Sequence, residues 1–147
     1  MEGKTAAKTI SRERHYLNNV LKDFKPEHGD FKPDNDSFTV AQQMYHIADT
    51  LLWFREGAFG SGFNMDFEGI SRKLKEPRTF EEALDFLNKT YDDYIAFLEP
   101  LTEENLNTPL PDNPIFGNAP KWVIIYSTLD HTAHHRGALS VYLRLLG

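Results

Sequence analysis

No cysteine occurs among the 147 residues. That excludes disulfides, thiolate metal sites and cysteine nucleophiles, and it leaves the redox compartment open. No run approaches the roughly 18 apolar residues of a membrane span. Met1-Glu2-Gly3-Lys4 lacks the apolar stretch of a signal peptide. The expected location is cytoplasmic, with no membrane partner. Positive charge is also scarce: 16 basic against 22 acidic residues, a formal net charge of −6. A nucleic-acid footprint needs local basic clusters. The nearest candidate, Ser71-Arg72-Lys73-Leu74-Lys75, is small and runs at once into Glu76, so nucleic acid is not an expected partner.

What is present is globular material. Hydrophobic residues make up 40% and aromatics 13%, with eleven phenylalanines. The length suits one domain over residues 1–147. Ile10, Leu17, Val20, Leu21 and Phe24 recur at a period near 3.6, predicting a first helix from about Thr9 to Phe24. Ser37 or Thr39 caps a second helix, from about Val40 to Arg55 or Gly57, with Val40, Met44, Ile47, Ala48, Leu51 and Leu52 as its stripe. Residues 58–77 read as a long crossover or lid that packs down through Phe59, Phe63, Met65, Phe67 and Ile70. Thr79 with Glu82 forms a capping box for a third long helix ending at Pro100. One turn is expected at Glu103–Leu106. Residues 107–120 carry too many prolines for a helix and leave room for a short hairpin. A last helix runs from Asn118–Lys121 to about Leu146, with Pro120 in its first turn, and spans roughly 39 Å. No segment alternates convincingly as a strand. The fold class is all-α, a four-helix bundle with long crossover connections.

Within the last helix, Ile124, Thr128, His131, His135, Ala138, Tyr142 and Leu145 keep to one side. Two histidines thus stand where a bundle normally places leucine. Side chains four apart sit roughly 5–6 Å from each other. Two imidazoles so placed can chelate one ion at Zn–N distances of about 2.0–2.1 Å. A third ligand must come from another element. His46 is the best candidate, close to the apolar stripe of the second helix; His15 and His28 lie in polar surroundings. Three histidines with open positions would be a catalytic type of site, whereas structural zinc sites are closed by four protein ligands. Asp49, one turn beyond His46, is the candidate catalytic carboxylate, able to orient an imidazole or a bound water; Asp130, beside His131, is the weaker one. His134 could reach the site from the side or hold a carboxylate at a subunit contact. Thr132 stands where a gluzincin peptidase carries glutamate, which removes that enzyme's general base. A metal-free alternative stays open, in which the histidines hydrogen-bond to Tyr45, Tyr126 or Asp49. Trp53, Trp122 and Phe116 could line a pocket or pack in the core.

The string Leu129-Asp130-His131-Thr132-Ala133-His134-His135-Arg136-Gly137-Ala138-Leu139 resembles the C-terminal signature of the DinB/YfiT-like superfamily, and Tyr45-His46-Ile47-Ala48-Asp49 resembles its second-helix histidine segment. The likeness covers the whole chain in length and order. It implies an up-down-down-up four-helix bundle, often a homodimer, with a divalent ion, zinc or nickel. His46, His131 and His135 look like the family's three metal ligands, with His134 not ligating. Some relatives are thiol-dependent transferases or isomerases that use low-molecular-weight thiols, and many have no assigned activity. One departure is Ala138, where glutamine often follows the Arg-Gly pair. Arg136 could pair with an acidic residue on a neighbouring helix or at a dimer contact. Gly137 either permits close helix approach or room beside the metal, or is a tolerated surface glycine.

The functional expectation is a divalent-metal-binding protein acting as a metal-dependent enzyme on a small-molecule substrate. Transfer of a low-molecular-weight thiol is favoured over hydrolysis. The alternative is a noncatalytic metal-binding or stress-response protein.

Overall fold

The computed structural model describes residues 1–147. Its helices are α1 (Gly3–Leu21), α2 (Val40–Phe59), α3 (Phe67–Leu74), α4 (Phe80–Leu98), α5 (Glu103–Asn107) and α6 (Val123–Leu146), with one 3-10 turn at Pro26–His28. No helix is long and apolar enough to cross a membrane.

Local chemistry sets most of the starts. The Thr39 hydroxyl accepts the Gln42 amide N–H at 3.1 Å, and the Gln42 side chain accepts the Thr39 N–H at 2.9 Å. Thr79 with Glu82 and Thr102 with Asn105 repeat the same reciprocal cap at α4 and α5. Thr39, not Ser37, therefore begins α2.

The α1 start lies six residues earlier than its apolar period suggests. Ala6 and Ala7 are buried, and the Gly3 N–H donates to the Leu101 carbonyl at 2.8 Å. A Cβ at Gly3 would collide with the carbonyl oxygens of Leu98 and Leu101, so the close approach of the chain here requires glycine. At the other end α1 closes at Leu21, while Phe24 stays in the core from the turn beyond it.

Side-chain pairs give the directions. Arg14 reaches Asp92 while Gly3 meets Leu101, so α1 and α4 run antiparallel. Tyr45 stacks on Phe86 and Phe59 meets Phe97 edge-on, so α2 and α4 run parallel. Gln43 meets Tyr142 and Thr50 meets His131, so α2 and α6 run antiparallel. The result is the up-down-down-up bundle of α1, α2, α4 and α6. Its core packs Ile10, Leu17, Met44, Ile47, Leu51, Leu87, Leu98 and Ile125, each at most 1% exposed.

The connections depart from expectation in three places. Residues 58–77 hold the short helix α3, and only part of the segment packs down: Phe59, Phe63 and Ile70 are half-buried, but Met65 and Phe67 are exposed. The expected hairpin reduces to a single bridge between Pro109 and Pro120, with the Leu110 N–H donating to Ala119 at 2.9 Å. Pro120 is not in the first turn of α6, which begins at Val123. The N–H groups of Lys121 and Trp122 bond instead to the carbonyls of Thr108 and Leu106, holding those residues to the α5 segment.

Candidate metal centre

The antiparallel register of α2 and α6 decides the site. The Gln43–Tyr142 contact lies on one side of His46 and the Thr50–His131 contact on the other. His46 therefore faces the gap between His131 and His135. Ligand atoms of the three histidines all lie within 4.8 Å of one another. The Nε2 atoms of His46 and His131 are 3.0 Å apart, and the three ring centroids are separated by 4.5–4.8 Å. His135 is buried; His46 and His131 are half-buried. The Phe38 ring flanks His46 at 5.9 Å, and the Phe54 ring stands edge-on to His131 at 6.5 Å.

Burial disfavours the charged form of each imidazole. It pushes His131 down to about 3, helped by the repulsion His135 and His46 would exert, and His135 down to about 4, helped by His46 and His134. His46 is lowered by burial too, against the opposing pull of the Asp49 carboxylate. All three are neutral near pH 7 and offer lone pairs, the state a metal ligand requires. A tetrahedral ion with bonds of about 2.0–2.1 Å sets its nitrogens about 3.3 Å apart. The His46–His131 pair sits within a few tenths of an ångström of that spacing. The donor set therefore fits a divalent ion that accepts imidazole nitrogen.

The comparison with known proteins agrees with this arrangement. The family model of the DinB superfamily matches residues 9–139, a span that includes all three histidines. The chain belongs to the DinB superfamily. Among curated proteins it is 27% identical to the uncharacterized protein YjoA of Bacillus subtilis over 137 residues, covering 91% of this chain and 84% of that one. The crystal structure of the same DinB-like YjoA superposes with a TM-score of 0.72 at 21% identity, covering 97% of this chain and 92% of that chain. A conserved protein from Enterococcus faecalis superposes at 0.68 with 17% identity, covering 98% and 96%. At those identities the solved structures establish the fold.

The remaining candidates around this DinB centre fall in different places. Asp49 makes no hydrogen bond to a histidine. Its Oδ1 meets the Tyr45 hydroxyl at 3.5 Å, and its side chain borders a cleft of about 760 Å³ shared with Trp53 and Lys73. None of the three histidines lines that cleft, so the centre is located by donor geometry and not by the cavity. Asp130 is exposed. His134 is exposed, with its ring edge-on to His135 at 4.9 Å and no hydrogen bond. His15 contacts Asn19 at 3.4 Å, and His28 accepts the Lys25 N–H; neither joins the cluster.

The hydrogen-bond partners of the cluster are not Tyr45, Tyr126 or Asp49. They are Gln43, whose Oε1 lies 2.6 Å from His135 Nδ1, and Thr50, whose hydroxyl lies 3.4 Å from His131 Nε2. Sequence reasoning passed over both. The signal was present: Gln43 lies three residues before His46 and Thr50 four after it, on one face of α2. Of the three aromatics considered for a pocket, Trp53 lines the cleft and donates its indole N–H to the Asn64 carbonyl at 2.7 Å. Phe116 packs against Phe54 and Phe63, and Trp122 sits edge-on to Tyr126. Arg136 pairs with Glu13 on the neighbouring α1 at 2.6 Å. Gly137 is a surface glycine: a Cβ there would meet nothing within 4 Å, so it makes no close helix contact and no room beside the histidines.

Proposed function

We propose that this protein binds a divalent ion, zinc or nickel, through His46, His131 and His135, and that it is a metal-dependent enzyme transferring a low-molecular-weight thiol to an electrophilic small molecule. The observation that carries the reading is the convergence of three neutral imidazoles from two helices within 4.8 Å. Three protein ligands fall one short of the four that close a structural zinc site, which leaves positions for an exogenous ligand. When bound, the ion would supply Lewis acidity that favours the deprotonated form of a thiol or water.

Thiol is preferred here over water, a reading supported by the residues beside the trio. Hydrolysis commonly recruits a carboxylate to take the proton of the attacking water. The groups hydrogen-bonded to the trio are Gln43 and Thr50, and Phe38 and Phe54 flank it. In the reaction a sulfur–carbon bond forms and the thiol gives up its proton. An alkyl halide loses halide with its electron pair, and the proton passes to solvent. An epoxide instead breaks its ring C–O bond, or an activated alkene its π bond, and the resulting oxygen or carbon takes up a proton. Asp49, on the turn of α2 beyond His46, is the carboxylate best placed to orient a substrate entering from the cleft it borders. A homodimer in the cytoplasm is the setting proposed for this activity.

The test is metal-loaded, untagged protein with small thiols and a panel of alkyl halides, epoxides and activated alkenes. Conjugate formation that needs both metal and thiol, and that is lost in His131→Ala, is the expected result. Hydrolysis of esters or amides without thiol dependence would overturn the transferase assignment. Tight metal binding with no turnover on either panel would instead favour the noncatalytic metal-binding alternative.

A further inference from the structure

A buried chain of hydrogen bonds leads away from His135. Its Nδ1 lies 2.6 Å from Gln43 Oε1; Gln43 Nε2 donates to the Tyr142 hydroxyl oxygen at 3.2 Å; the Tyr142 hydroxyl donates to the Phe38 carbonyl at 2.8 Å. His135, Gln43 and Tyr142 are each at most 8% exposed, so water does not readily substitute for any of these three side chains; Phe38, at the end, is half-buried.

The chain has a polarity, and its far end sets it. A peptide carbonyl can only accept. No backbone N–H bonds to the Phe38 oxygen, so the Tyr142 hydroxyl is its partner. With its single proton committed there, Tyr142 offers Gln43 only a lone pair. Gln43 must then turn its NH2 toward Tyr142 and its carbonyl oxygen toward His135. That oxygen accepts only, so His135 must carry its proton on Nδ1. The Nε2 lone pair is left bare, on a ring whose centroid stands 4.5–4.6 Å from those of the other two histidines. Turning the Gln43 amide over would take the Tyr142 proton from the half-buried Phe38 carbonyl, or set two acceptor oxygens against each other between the buried Gln43 and Tyr142. It would also leave His135 Nδ1 as the acceptor, at the cost of an unmade hydrogen bond.

We infer that Gln43 and Tyr142 are positioning residues that lock His135 in its Nδ1–H tautomer and so prepare Nε2 as a metal ligand before any ion arrives. Outer partners of this kind commonly change metal affinity about 10–100-fold when removed. The inference deepens the metal-binding reading, and it rests on that reading only for the affinity measurement.

The experiment has two arms, each run on the full-length chain. In the first, long-range 1H–15N correlation of the metal-free protein at pH 7.5 reads which nitrogen of His135 is protonated. The wild type is expected to show Nδ1–H. Tyr142→Phe, which removes only the hydroxyl, is expected to shift His135 toward a mixture with Nε2–H. Gln43→Leu should lose the preference, and Gln43→Glu, whose carboxylate can only accept, should restore it. In the second, titration with Zn2+ alone should give weaker binding by about 10-fold or more for Gln43→Leu, a smaller loss for Tyr142→Phe, and recovery in Gln43→Glu. Wild-type His135 protonated on Nε2, or an unchanged tautomer in both Tyr142→Phe and Gln43→Leu, overturns the inference. A wild type that shows Nδ1–H but binds no zinc removes the metal reading and leaves the tautomer lock standing.

Discussion

His46 and His131 bring their Nε2 atoms to 3.0 Å although 85 positions separate them in the chain. Two nitrogens at that distance need either a shared proton or a shared cation between them, and both demands shape how the protein should behave.

The first consequence concerns metal content. His46→Ala, His131→Ala and His135→Ala should each sharply lower bound zinc or nickel, because each removes one of three converging donors. His134→Ala should lower it far less, since that ring is exposed and outside the trio. Elemental analysis by inductively coupled plasma on untagged protein reads the stoichiometry. Full occupancy in the His131 and His135 variants would remove the assignment.

Chelation should cost thermal stability. An ion bound by the folded state and not by the unfolded one stabilises by RT ln(1 + [L]/Kd), about 2.7 kcal/mol at a hundredfold excess over Kd. At this size, each kcal/mol is worth roughly 2–4 °C in Tm. A melt with zinc and a melt with chelator should therefore differ by several degrees in wild type, and the two should coincide in His131→Ala.

Acid should destabilise the metal-free protein before its carboxylates titrate. Burial holds His131 near 3 and His135 near 4, whereas both start from an ordinary value of 6.5. Between those limits the unfolded chain binds more protons than the folded one, so stability falls as the pH drops from about 6.5 toward 4. With chelator present, Tm should fall between pH 7 and pH 5. The fall should be smaller in a His131→Gln, His135→Gln double variant. An equal fall in both proteins would show that these imidazoles are not the source.

Arg136 and Glu13 offer a test remote from the histidines. The Glu13 carboxyl is pushed upward by burial, against the lowering pull of Arg136 at 2.6 Å. Arg136→Met leaves that largely buried carboxylate without its partly exposed cation and should cost about 1–3 kcal/mol. Pairing it with Glu13→Gln should recover part of the loss, because neither charge is then stranded. Urea denaturation of the two single variants and the double variant closes the cycle. Strict additivity would mean that the pair does not act as one.

Two glycines should respond in opposite directions. Gly3→Ala drives a methyl into the Leu98 and Leu101 carbonyls and should destabilise by more than 1 kcal/mol. Gly137→Ala meets no atom within 4 Å in a helix interior and should stabilise by about 0.5–1 kcal/mol. Destabilisation at Gly137, or a change in oligomeric state there, would reveal a helix packed against that face.

Much of this was legible in the chain because it depends on neighbours in sequence. Most of the α2 stripe and of the α6 row, the Thr79–Glu82 cap and the His131/His135 pair are local relationships that appear where their spacing places them, although Leu52 and Leu145, at the margins of those faces, are exposed. The start of α1 was not legible. Ala6 and Ala7 are weakly hydrophobic, and they are buried only because Gly3 lets α1 approach the Leu98–Leu101 turn. The late start of α6 escaped for a related reason: Lys121 and Trp122 spend their N–H groups on Thr108 and Leu106, partners set by tertiary packing.

By itself the sequence determined which side of each helix is apolar and which histidines could share a face, since a helix repeats every 3.6 residues wherever it lies. Only the tertiary structure decided the antiparallel register of α2 against α6. That register brings His46 to the gap between His131 and His135, and it sets Gln43 rather than Asp49 against an imidazole. Register is fixed by the summed packing of both helices, which spacing within one helix does not encode.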